Sequence, residues 1–384
     1  MEMISKKNIK FFINRIYTSI YATFHPIKKK ILFESFRGKQ YSGNPRAISE
    51  MMHEKYPDYE IVWALNSMID TYHLLPDYIK IVPSTGKQYY QEVATAYCHV
   101  SNEPYETNIH KRRGQFNVQT WHGDRTFKKV LYDAWEGGKR PTPVMDNKVT
   151  DICLAASIFG ESVYRTAFQY QGDILTVGSP RNDKLIKRTA DTIEIRKKIK
   201  IDSKYKIMLY APTFRDQATG KQKSIDINRT LAIKEKTGEK WICLLRAHPA
   251  SKGIDYSVDN KTVIDVTDYP DMADLLCITD LLITDYSSTA CDAVSAGIPT
   301  ILAIYDADEY TRGSRELKVT PEEAGFIIAY DQNSLEDLLC KTTEDVYRDM
   351  FKRVDRFYGT IESGNATEKV CELINDQYTK MHSV

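Results

Sequence analysis

The stretch RNDKLIKRTADTIEIRKKIK, residues 181–200, followed by YKIMLYAPTF at 205–214, decides the fold. The first is densely charged and poor in apolar residues; the second opens a new apolar run. Before the break come KKILFESF (29–36), YEIVWALN (59–66), IKIVP (79–83), TAYCHVSN (95–102), FNVQTWH (116–122), DICLAAS (151–157) and DILTVGS (173–179). After it come KWICLLRAHP (240–249), KTVIDVTD (261–268), LLITDYSS (281–288), PTILAIY (299–305) and GFIIAY (325–330). Short apolar runs alternating with helical stretches predict a parallel, doubly wound α/β sheet, and the restart predicts two of them. The expected organisation is an amphipathic helix over 1–30, Rossmann-like domains over 31–190 and 191–355, and a helix over 356–384 crossing back to the first domain.

Length and composition agree with this division. A chain of 384 residues is comfortable for two domains that each bury a core, and 42% hydrophobic with 27% charged residues is the balance of a folded protein. The net charge of +1 provides no global field for nucleic acid, so no nucleic-acid partner is expected. The cysteines (Cys98, Cys153, Cys243, Cys277, Cys291, Cys340 and Cys371) are odd in number, scattered and without a CxxC pair, which points to reduced thiols. No run approaches the ~20 apolar residues of a membrane-spanning helix, and the basic N-terminus lacks the cleavage site of a secretory signal. Phe12, Ile16, Ile20 and Phe24 recur at i, i+4, with Lys6, Lys7, Lys10 and Arg15 at the start and Lys28, Lys29 and Lys30 following. This pattern predicts either an amphipathic helix lying on an anionic membrane surface or a helix packed on its own domain with a solvated charged face.

No GxGxxG follows the first strand of either half and no Walker A sequence is present, which disfavours dinucleotide oxidoreductases and P-loop enzymes. Open sheets bind ligands at the carboxyl ends of their strands. Six histidines (His25, His53, His73, His99, His110 and His382) have uninformative surroundings. His122 and His248 differ: each closes a strand run and precedes a turn-forming residue, Gly123 or Pro249, one in each half. An imidazole there can act as a base or as a phosphate donor near neutral pH. In LLITDYSSTACD a buried strand delivers Thr284, Asp285, Tyr286, Ser287 and Ser288 into a helix start, either as an anion site or as a simple cap. Thr213 and Arg215 end YAPTFRD, and Arg246 precedes His248 by two; arginine forks suit phosphate oxygens. Lys128 and Lys129 add positive charge after His122, and Arg312 and Gly313 in DEYTRGSR (308–315) form a candidate lid. No acidic pair adjoins these residues, so no metal or other cofactor is called for; Asp124 and Asp133 stay open as ligands should the chemistry depend on Mg²⁺.

Taken together, QTWHG (119–123), RAHP (246–249), ITDYSS (283–288) and YTRG (310–313) resemble the CDP-glycerol glycerophosphotransferase family, whose members build teichoic acids and related capsule polymers. LFESFRG (32–38) with SGNP (42–45), APTFR (211–215) and GNAT (364–367) extend the resemblance along nearly the whole chain in order. It implies a GT-B fold with an acceptor-side first domain and a nucleotide-donor second domain, peripheral to the cytoplasmic face of the membrane. It implies His122 as base, with Thr213, Arg215, Arg246, His248, Ser287 and Ser288 around the diphosphate of CDP-glycerol. Thr284, Asp285 and Arg312 are assigned to the donor side by their motifs. Where many members continue WHG with Thr-Pro-Leu-Lys, this chain has Asp124, Arg125, Thr126 and Phe127 before Lys128. Gly123, Asp124, Arg125 and Lys128 are accordingly expected on the acceptor side.

The expected reaction is attack of an acceptor hydroxyl, deprotonated by His122, on the phosphorus bearing glycerol, with CMP leaving. The acceptor is a lipid-linked or polymeric cell-surface glycan. CDP-ribitol is the near alternative donor; a UDP-sugar glycosyltransferase and a non-catalytic polymer-binding subunit are the remoter ones. The sequence leaves oligomeric state open, a homo-oligomer included.

Overall fold

The computed structural model describes residues 6–66, 75–104, 111–135, 148–213, 224–247, 262–307 and 316–383. Each strand run of the sequence forms a strand. Strands β1 (Lys28–Glu34), β2 (Glu60–Leu65), β3 (Lys80–Pro83), β4 (Ala96–Ser101), β5 (Phe116–Gln119), β6 (Ile152–Ala155) and β7 (Asp173–Thr176) make a seven-stranded sheet in the order 3-2-1-4-5-6-7. Strands β8 (Tyr205–Ala211), β9 (Lys240–Leu245), β10 (Val263–Asp265), β11 (Leu281–Thr284), β12 (Thr300–Ala303) and β13 (Ile328–Ala329) make a six-stranded sheet in the order 10-9-8-11-12-13. Every described strand pairing within the two sheets is parallel. Both orders reverse direction once, between β1 and β4 and between β8 and β11, and such switch points leave a crevice at the strand ends.

The strands read as continuous apolar runs because helices cover both faces of each sheet. In β1, Ile31 and Phe33 pack with Ile48 and Met52 of α2 (Gly43–Lys55), while Leu32 points the other way, among Tyr89, Tyr90 and Val93 of α3 (Lys87–Thr95). In β8, Met208 and Tyr210 enter one core and Ile207, Leu209 and Ala211 the opposite one. Five of the cysteines are buried in these layers and all are free thiols.

The two domains are tied by the end of the chain. The helix Glu344–Tyr358 sinks Met350, Val354 and Tyr358 into the second domain's core and stops at Gly359, whose φ of 59° is the left-handed cap that glycine adopts without strain. The backbone then crosses to the first domain, where the Ile361 N–H donates to the Ala156 carbonyl at 2.8 Å. The helix Ala366–His382 follows, burying Val370, Cys371 and Ile374 with Ile48 and Met52.

Helix α1 (Lys6–Phe24) packs on α3 through its polar and small face. Thr18 and Ala22 are buried, Asn14 donates to the Tyr90 hydroxyl and Gln91 to the Tyr17 hydroxyl, each at 2.9 Å. Phe12, Ile13, Ile16, Ile20 and Phe24 face outward, 43–77% exposed. A helix held on its domain by an apolar face would show the reverse. The flanking lysines contribute less charge than the sequence suggests: Lys29 is paired with Asp58, and Lys30 is buried against Glu92. Among the described residues no helix is long and apolar enough to cross a membrane.

Candidate functional site

At the switch point of the first sheet the chain leaves β1 into Ser35, Phe36 and Arg37 and leaves β4 into Asn102 and Glu103. Asn102 joins these exits: its Oδ1 accepts from the Phe36 N–H at 2.7 Å, its Nδ2 donates to Ser35 Oγ at 2.9 Å, and its carbonyl bonds His122 Nδ1 at 2.8 Å. A carbonyl only accepts, so Nδ1 carries the proton and Nε2 keeps its lone pair, which is the tautomer a general base requires. The sequence places His122 at a strand end; β5 in fact stops at Gln119, and Trp121 turns the chain at φ 48°. That turn is held by the Trp121 N–H donating to Gln119 Oε1 at 2.8 Å and by Asn44 Nδ2 donating to the Thr120 and Trp121 carbonyls at 3.3 and 3.2 Å. The imidazole lies against Trp121 and Phe36 with 32% of its side chain open to solvent. Burial lowers its pKa below the usual histidine value, overriding the Asn102 carbonyl and Glu103, which pull it up; Arg181 lowers it further.

Across the cleft, the second switch point presents Thr213 after β8 and residues 285–288 after β11. Thr284 Oγ1 donates to the Ala211 carbonyl at 2.6 Å, and the Asp285 carboxylate accepts the Thr213 N–H at 2.9 Å; both residues are buried. The sequence assigns Thr284 and Asp285 to donor binding. In the structure they lash the ends of β8 and β11 together, because a strand terminus otherwise leaves buried backbone groups unpaired. Ser287 Oγ accepts the Thr289 N–H at 3.3 Å, whereas Ser288 makes no side-chain cap bond to its helix. That helix, Thr289–Ser295, is only two turns long, so the hydroxyls rather than a long dipole are what the cleft presents. Gly123 brings the two halves into contact: a Cβ there would lie 2.6 Å from Ser288 Oγ, so a side chain would push His122 and Ser288 apart. Arg246, after β9, has Nη1 buried with no hydrogen-bond partner among the described residues.

A model of the CDP-glycerol:poly(glycerophosphate) glycerophosphotransferase family matches residues 17–376. The chain belongs to this family. It is 31% identical to the teichoic acid poly(glycerol phosphate) polymerase of Staphylococcus epidermidis over 90% of its own length and 50% of that protein's. The identity is 30% with the teichoic acid glycerol-phosphate transferase of Staphylococcus aureus, over 93% and 96% of the two chains. It thus spans half of the first relative and nearly all of the second. The solved wall teichoic acid polymerase TagF superposes with a TM-score of 0.80 at 29% identity, covering 97% of this chain and 96% of that one.

The segment that departs from the expected Thr-Pro-Leu-Lys holds Asp124 and Arg125 buried in contacts within the protein. Residues 124–129 form a strut from the first domain into the second. Asp124 is buried, accepting from the Ala156 N–H at 2.7 Å, with Gly160 so close that a Cβ would strike its carboxylate. Arg125, 2% exposed, donates to Asp292 at 2.9 Å, Glu362 at 3.0 Å and Ser295 at 2.6 Å. Phe127 enters the second domain's core against Phe326, and Lys128 bridges Leu317 through its backbone. Asp133, open as a metal ligand in the sequence, is paired with Lys318. Arg181 and Asn182 complete the Asp292 cluster from the interdomain segment. His248, Arg215 and Arg312 lie outside the described residues.

Reading the sequence alone missed Asn102, Glu103, Asp292 and Glu362. Asn102 and Glu103 could have been found by asking what ends the fourth run at a switch point. Asp292 and Glu362 carried no local signal, since their partners come from other domains.

Proposed function

We propose that the chain transfers glycerol phosphate from CDP-glycerol to a hydroxyl of a lipid-linked or polymeric teichoic acid or capsule acceptor, releasing CMP. The observation that carries this reading is His122, with Nδ1 committed to Asn102 and Nε2 without a hydrogen-bond partner among the described residues, apposed through Gly123 to the Ser287–Ser288 turn. His122 Nε2 takes the proton of the attacking hydroxyl. The Ser287 and Ser288 hydroxyls, Thr213 and Arg246, together with His248, Arg215 and Arg312, meet the charge of the diphosphate. Phosphoryl-type transfer asks the protein chiefly for positioning and charge stabilisation, which such a set supplies. The test is nucleotide release from CDP-glycerol, CDP-ribitol and UDP-sugars with a lipid-linked glycerol-phosphate acceptor. CMP from CDP-glycerol alone, persisting in EDTA, is expected; loss in EDTA with rescue by Mg²⁺ would add a metal, and UDP release would overturn the reading.

The same reading places the protein on the cytoplasmic face of the membrane through α1. Its outward row Phe12, Ile16, Ile20 and Phe24 is an apolar face without a protein partner among the described residues, with Arg15 and Lys28 exposed near it. Changing Phe12, Ile16 and Ile20 to serine is expected to move the protein from anionic vesicles to the supernatant in a sedimentation assay. Turnover on a short water-soluble acceptor should be retained. Unchanged sedimentation would remove α1 as the anchor.

A further inference from the structure

Phe36, Arg37 and Gly38 form a turn at the carboxyl end of β1 in which all three φ values are positive, at 47°, 56° and 74°. For the two non-glycine residues that conformation costs roughly 1–3 kcal/mol each, and it persists only where the surroundings impose it. They do so here. The Phe36 N–H is fixed by Asn102, the Gly38 N–H donates to the Ser35 carbonyl at 3.0 Å, and the Asn66 N–H donates to the Gly38 carbonyl at 2.7 Å. The turn raises the Arg37 side chain, 67% exposed, beside the crevice between β1 and β4. Its Nε lies 3.7 Å from one oxygen of Glu103, whose other oxygen lies 3.9 Å from His122 Nδ1. An ion pair that long and that exposed contributes little to stability, so Glu103 holds the guanidinium only loosely and a ligand can take it over.

We propose that Arg37 is an acceptor-recognition residue, binding the phosphate next to the hydroxyl that His122 deprotonates, with Glu103 as its counter-ion while the site is empty. This rests on the transfer reaction proposed above. An acceptor ending in glycerol phosphate carries its last phosphate only a three-carbon unit away from the attacking hydroxyl. A guanidinium on the far side of the carboxylate that flanks the base is placed for that phosphate. Its planar fork grips phosphate oxygens bidentately, which an ammonium does not. When the phosphate takes the guanidinium, Glu103 is released toward His122, where its charge favours the imidazolium formed as the proton is taken. Arg37 thereby selects acceptors whose growing end is already phosphorylated, while the diphosphate of the donor is held across the cleft.

The test uses the full chain, saturating CDP-glycerol and a synthetic lipid-linked acceptor ending in one glycerol phosphate, with CMP release as readout. Arg37→Ala is expected to raise the KM for acceptor about tenfold, with kcat and the KM for CDP-glycerol changed by less than about twofold. Arg37→Lys should recover part of the loss, and Glu103→Gln should lower the KM for acceptor by freeing the guanidinium. An unchanged acceptor KM in Arg37→Ala, or a rise in the KM for CDP-glycerol instead, overturns the assignment while leaving the reaction intact. No CMP release by the wild-type protein removes the reaction and this inference together.

Discussion

Replacing His122 by alanine is expected to lower kcat for transfer by ~10²- to 10⁴-fold, the usual worth of a positioned general base, while CDP-glycerol affinity stays within a few-fold. The split follows from geometry. His122 belongs to the first domain, and its contact with the donor side runs through Gly123 and Ser288 rather than through its ring. His122→Gln should be nearly as damaging, because an amide can donate to the Asn102 carbonyl but has no basic atom to take a proton. The pH profile offers a second check. Burial lowers the imidazole pKa, so the neutral, active form persists to lower pH than an ordinary histidine allows. The acid limb of kcat/KM should therefore fall below the usual ~6.5 and vanish in the variant's residual activity. A variant within a few-fold of wild type would remove His122 from the chemistry.

What the sequence discloses here is what repeats or ends locally. Each strand could be read because a sheet covered on both faces needs consecutive apolar residues, as Ile31, Leu32 and Phe33 illustrate. The break at 181–200 marked the passage between sheets for the same reason. The position of His122, just beyond a strand end and beside a glycine, was legible. The placement of Asp124 and Arg125 was not, because adjacency to a motif histidine says nothing of which way the chain turns next. Their partners Ala156, Asp292 and Glu362 lie far along the chain, and only folding reveals that the loop after His122 is a joint. Thr284 and Asp285 are ambiguous in a related way: hydroxyl and carboxylate at a strand end serve a ligand or the neighbouring strand equally well, and only the fold shows their bonds to the end of β8. The apolar row of α1 was visible as periodicity, but its outward direction was not.

That joint carries the largest stability effect expected in the molecule. Arg125 is enclosed between the domains with Asp292, Glu362 and Ser295 as its partners, and Asp292 is shared with Arg181 and Asn182. A buried ion pair has little net worth relative to an apolar replacement, yet removing one member strands the other in a medium that does not solvate it. Arg125→Ala is therefore expected to destabilise by about 3–5 kcal/mol in urea unfolding and to lose transfer activity even though His122 is intact. Lys341→Ala, which breaks the exposed pair with Asp337, should leave the unfolding midpoint unchanged. Glu362 adds a pH signature. Burial raises its carboxyl from 4.5 to about 7, against the pull of Arg125 and the Ser179 N–H. An acid raised on folding binds more protons folded than unfolded, so this group's contribution to stability falls as pH rises from 4.5 through about 7. Glu362→Gln, which carries no titrating proton, should flatten that slope while keeping an amide oxygen for Arg125. A slope that survives the substitution would assign the pH dependence elsewhere, and an Arg125→Ala protein as stable as wild type would mean that the joint is not what holds the two sheets in register.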